Sequence, residues 1–131
     1  NNGNLISHDW FIYQLITGAG GTVYYDSHSE ILYRQHESNL MGSSNGFSAK
    51  VYRIKMMLNN SFRTWNDINV KTIQSNSSLL TEENRNILNI FAKSRNNSLV
   101  PRIIGFIKCG IYRQTFRGNI ALFIAGILNK V

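Results

Sequence analysis

Residues 7–21 read SHDWFIYQLITGAGG, and no other stretch limits the possible folds so strongly. Trp10, Phe11, Ile12, Tyr13, Leu15 and Ile16 leave a helix over this segment with almost no polar face, so it is expected to be buried on most sides. Its ends are marked locally. Ser7 can accept hydrogen bonds from free N–H groups of the first turn, Asp9 suits the positive end of the helix dipole, and Gly18, Gly20 and Gly21 stop the helix. Two interpretations of Asp9 follow from residue types: a carboxylate that helps start a helix, or a charged group held at the mouth of a buried one for chemistry.

What must cover that helix is a single domain's worth of chain. The 131 residues, 43% of them hydrophobic, suffice for one core and are too few for two ordinary domains. TVYYD (residues 22–26) alternates β-branched and aromatic side chains and is expected to be a short strand, as is EILYRQH (residues 30–36), with Ser27, His28 and Ser29 as the link. ESNLMGSSNG (residues 37–46) reads as a mobile surface loop. From Phe47 helical spacing returns, with Val51, Ile54, Met57 and Leu58 on one side and Lys50, Arg53 and Lys55 off it. A further helix is expected over residues 65–73, before a polar QSNSS turn. Another starts at Thr81, with Glu82 and Glu83 in its first turn and Arg95, Asn96, Asn97 and Ser98 at its end. Pro101 lies near the opening of an apolar and basic segment that divides into two helices at Gly110 or Gly118. The expected class is α+β, mainly helical: a buried helix, a short two-strand element, then several helices. The abundance of Asn reads as compositional drift.

Charge narrows the partner. Fourteen Lys and Arg against seven Asp and Glu give a formal charge of +7, which favours an anionic surface: nucleotide phosphates, nucleic acid or lipid headgroups. The single cysteine, Cys109, excludes an internal disulfide and a cysteine-rich zinc site, and reads as a small apolar filler. His8, His28 and His36 have no metalloprotease spacing. His36 and Arg34 nevertheless close a strand and precede a loop, where an imidazole could ligate a divalent metal and a guanidinium could grip phosphate. NIALFIAGIL (residues 119–128) is too short to span a membrane; it is either a packing helix or an interfacial one, with Arg102, Lys108, Arg113 and Arg117 drawn to lipid headgroups. The start NNGNLIS has no initiator Met and no signal-peptide pattern, and is expected to belong to a longer protein.

SHDW, followed by GGTVYYD and ILYRQHESNLMG, resembles the C-terminal part of bacterial family-two glycosyltransferases, especially the rhamnosyltransferase-like enzymes of cell-surface polysaccharide assembly. The resemblance is most specific over residues 7–42; YRQ at residues 112–114 is compatible with it. It implies the C-terminal half of a GT-A fold. Residues 1–46 would be the acceptor-side, catalytic part and residues 47–131 a basic helical region, the nucleotide-binding half with its DxD motif lying elsewhere in the protein.

The same resemblance implies roles for particular residues. Asp9 would be the base that deprotonates the acceptor hydroxyl, with His8, where many relatives have Glu, and Trp10 on the acceptor side. Arg34 and Gln35 would meet the leaving diphosphate, and His36 its Mg²⁺ or Mn²⁺. The implied partners are a nucleotide-sugar donor and a saccharide or lipid-linked acceptor, with peripheral contact at the cytoplasmic membrane face and no nucleic acid. The competing class is a non-catalytic basic module on a membrane or nucleic acid, although no helix-turn-helix, zinc-finger or RNP-like signature is present.

Overall fold

The structure is a computed structural model; it describes residues 5–26, 28 and 47–131, the side chains of residues 47–50 and 53 excepted. In chain order the helices are α1 (His8–Gly18), α2 (Phe47–Leu58), α3 (Ser61–Ser75), a 3-10 turn at Ser77–Leu79, α4 (Glu82–Arg95), α5 (Leu99–Lys108) and α6 (Phe116–Ile127). The class is mainly helical, and no strand occurs among the described residues. That corrects the expected two-strand element. Residues 22–26 are not a strand, and Tyr24 and Tyr25 point almost wholly into solvent. Alternation of β-branched and aromatic residues describes a surface that fits against something, and no layer of the described structure covers these tyrosines. The expected partner strand, residues 30–36, and the loop at 37–46 lie outside the described residues.

Local signals placed the other boundaries well. The Thr81 hydroxyl accepts from the Asn84 N–H at 3.2 Å and starts α4, with Glu82 and Glu83 in the first turn and Lys93 and Arg95 in the last. Gly110, at φ 63°, ends α5 in the left-handed region, and Thr115 caps α6 by accepting from Gly118 N. The helix expected at 65–73 is longer at both ends, because Asn60 takes a left-handed conformation (φ 62°) that lets α3 restart directly after α2. Ser7 occupies the N-cap of α1 without a side-chain hydrogen bond; its carbonyl accepts from Phe11 N instead.

The core is thin and drawn from several helices: Met56, Val70, Ile73, Leu80, Phe106, Cys109 and Val131 are buried. α4 and α5 cross so closely at Gly105 that a methyl there would overlap the Ser94 side chain. α6 lies on α5 with Gly126 against Phe106 and Ile103. Cys109 is the expected filler; burial pushes its thiol above the usual range. On α2 the buried position is Met56, while the expected core face of Val51, Ile54 and Leu58 is half exposed. No helix of the described residues is long and apolar enough to cross a membrane.

Two arginines belong to this core. Arg95, only 3% exposed, donates from Nε to the Val131 main-chain oxygen and from Nη2 to the Arg63 carbonyl, both at 2.9 Å, and pairs with Asp67 Oδ1 at 2.9 Å. Burial pulls its guanidinium below the usual arginine range, Asp67 opposes that shift, and Arg63 adds to it. Arg102 donates to the carbonyls of Asn97 and Gly126. Its expected role at a lipid surface is thereby corrected: the guanidinium bridges a carbonyl just before α5 and one in the last turn of α6, whereas Lys108, Arg113 and Arg117 are exposed as expected.

Candidate functional site

α1 was expected to be buried on most sides and is not: none of its residues is buried, and Ile12, Tyr13 and Ile16 are about half exposed. What holds it is a small set of contacts. The Gly18 carbonyl, unpaired at the helix end, accepts from the Thr81 N–H and from Asn84 Nδ2, both at 3.0 Å, and Leu80 packs on Gly18. Trp10 meets Trp65 of α3 edge to face, with ring centroids 6.0 Å apart, and Trp65 in turn meets Phe62 at 5.6 Å. Trp10 therefore packs, and still leaves about a third of its surface to solvent.

Asp9 sits in the first turn of α1 with its side chain 80% exposed, and His8 Nε2 lies 2.8 Å from Asp9 Oδ1. The imidazole can restrict the rotation of the carboxylate. The second oxygen is open to an incoming hydroxyl. Arg34, Gln35 and His36 lie outside the described residues, so the structure does not place them beside Asp9. Near them in sequence, Asp26 Oδ1 accepts the His28 N–H at 2.8 Å and lies 3.4 Å from His28 Nδ1, a local turn on an exposed segment. Among the described residues no three His, Cys, Asp or Glu side chains gather where they could hold a metal ion. The donor set for a divalent cation is thus not formed by these residues.

A second feature escaped the sequence reading. A groove of about 400 Å³ runs between α1, α3 and α4, and its lining includes Gln14, Asn66, Asn69 and Asn84 together with Val70, Ile73, Leu80, Ile87, Leu88 and Phe91. Three of the amides that line it are among the asparagines whose abundance reads as compositional drift. Asn66 and Asn69 stand three residues apart on α3 and so share a face, which was the available signal. Their meeting with Gln14 and Asn84 depends on how the helices pack.

No family model and no solved structure matches the chain. A 56-residue stretch, 43% of the chain, is 38% identical to the dTDP-rhamnosyl transferase RfbG of Shigella flexneri and covers 19% of that protein. The match supports a glycosyltransferase relationship.

Proposed function

We propose that this chain contributes the acceptor side of an inverting, family-two glycosyltransferase. The observation that carries the reading is the 38% identity to a dTDP-rhamnosyl transferase; the exposed Asp9 carboxylate at the start of a helix is in keeping with it. In this reading Asp9 takes the proton from an acceptor hydroxyl as that oxygen attacks the anomeric carbon of the donor sugar in line with the departing diphosphate. His8 holds the carboxylate in one orientation, and Trp10 borders the acceptor. Arg34 and Gln35 are assigned to the leaving diphosphate and His36 to its divalent cation; no step above depends on that cation, since the described residues do not form its site. dTDP-rhamnose is the first donor to test, from the name of the relative.

The test is Asp9→Asn in the complete transferase. Turnover should fall by about 10²–10⁴-fold, the contribution usual for a positioned base, with the melting temperature unchanged because the side chain is exposed. Activity within about twofold of wild type would remove the assignment. Donor binding is placed in the same protein beyond these residues, so residues 1–131 alone should transfer no sugar.

Membrane contact is a secondary part of the proposal. Lys108, Arg113 and Arg117 are exposed beside Ile107, Phe116, Ile120 and Phe123, each of which leaves much of its surface uncovered. A basic-flanked apolar surface of this kind suits the anionic inner face of a membrane. Flotation with phosphatidylserine-containing vesicles should show binding that salt and Arg117→Glu weaken; no flotation at low salt would dismiss it.

A further inference from the structure

The groove between α1, α3 and α4 has an unusual lining for a basic protein. No charged side chain of the described residues faces it. Its polar side chains are four carboxamides, each of which offers a donor and an acceptor side by side, and the Thr17 hydroxyl, which already donates to the Tyr13 carbonyl; the rest of its lining is mostly aliphatic and aromatic. Asn69 is 94% buried, and its Oδ1 has no hydrogen-bond partner among the described residues. A buried acceptor left unpaired is unfavourable, and because the atom itself is enclosed an outside donor reaches it only if the Asn69 side chain turns toward the groove. Asn84 already gives its Nδ2 to Gly18, which fixes the amide and leaves its oxygen as an acceptor.

These features specify a ligand chemistry. Phosphate or carboxylate groups call for cationic donors, and the groove supplies none. Vicinal hydroxyls both donate and accept, and carboxamides match them; the C–H face of a pyranose ring suits apolar lining such as Val70, Ile73 and Phe91. The volume of about 400 Å³ falls in the range of small-molecule sites.

We propose that this groove is the subsite for a neutral pyranoside of the acceptor, with sugar hydroxyls meeting Asn66 and Gln14 and, once its enclosed side chain turns into the groove, Asn69. That it is the acceptor's subsite rests on the transferase reading; that it takes a neutral sugar rests on its lining.

The experiment titrates the ¹⁵N-labelled 131-residue chain with the methyl glycosides of rhamnose, glucose and N-acetylglucosamine, observing the side-chain amide signals. Those of Asn66, Asn69 and Gln14 should shift together with at least one glycoside below about 50 mM, well above a millimolar Kd. Asn69→Leu should weaken that binding about tenfold or more, the effect of losing one good hydrogen bond, while melting at or above the wild-type temperature. Asn66→Ala, at a half-buried position, should weaken it as well and serves if Asn69→Leu fails to fold. No shift with any glycoside, full binding by both variants, or displacement of the glycoside by dTDP would overturn the proposal. The two readings fail separately. Glycoside binding alongside a fully active Asp9→Asn enzyme removes the transferase assignment and leaves the sugar groove, whereas lost turnover without glycoside binding removes the groove alone.

Discussion

α1 and the α4–α6 region are held by opposite means. α1 has the more continuous apolar sequence, yet it buries none of its residues and is anchored by its last turn and by Trp10. The α4–α6 region carries many of the charges, yet it buries Arg95 and Arg102 completely enough that their guanidinium groups serve main-chain carbonyls. Polarity and depth are thus partly inverted between the two. A buried guanidinium with a full set of acceptors can tie helix ends together, and an apolar helix with little packed against it leaves its polar first turn free for a partner. A positive net charge therefore overstates the cationic surface this protein offers.

The contrast can be tested most severely at Arg95. Arg95→Ala should cost about 2–5 kcal/mol in urea unfolding, because the Val131 and Arg63 carbonyls lose their donor inside the protein while Asp67, half exposed, regains water. Arg95→Lys should recover only part of this, since an ammonium cannot reach several acceptors at once as the guanidinium fork does. A loss below about 0.5 kcal/mol would place Arg95 with the surface charges and dissolve the comparison.

Cys109 gives a smaller, pH-dependent effect from the same region. Its thiol keeps its proton to higher pH in the folded protein than in the unfolded chain. Its contribution is therefore complete below the ordinary thiol value, and stability falls as pH rises above about 8.5, with a slope of at most about 1.4 kcal/mol per pH unit. The decline ends at the folded value. Melting curves from neutral to alkaline pH should show this component in the wild type and lose it in Cys109→Ala.

The smallest effect is expected on α1. Ile12→Ser should change stability by less than about 0.5 kcal/mol, as for other surface positions, whereas a buried isoleucine would cost several times more. Equilibrium unfolding separates the two cases, and a large loss would show that α1 is covered in solution by chain outside the described residues.

The candidate site divides along the same line. Residue types place Asp9 at a helix start and leave its role open, the resemblance assigns Asp9 and His8 to the acceptor side, and the structure adds their 2.8 Å contact and their exposure. Trp10 reads from sequence as either packing or acceptor contact, and the structure shows packing against Trp65 with about a third of its surface exposed. The amides of the groove were missed, since Gln14, Asn66 and Asn84 come from three helices and no short motif contains them. Arg102 was misread because an arginine in a basic segment resembles its solvated neighbours until its acceptors, 5 and 24 residues away, are known.

By itself the sequence determined where several helices begin and end, although not the limits of α3. Thr81 beside two acids and Gly110 after Lys108 act through hydrogen bonds and backbone angles within a few residues, so they work in almost any fold. Tertiary structure alone decided depth: that α1 lies at the surface, that Met56 rather than Val51 or Ile54 turns inward, and that Asn69 is enclosed beside a groove. Burial depends on which surfaces remain to cover a side chain after all helices have packed, and that is a property of the whole arrangement rather than of any segment.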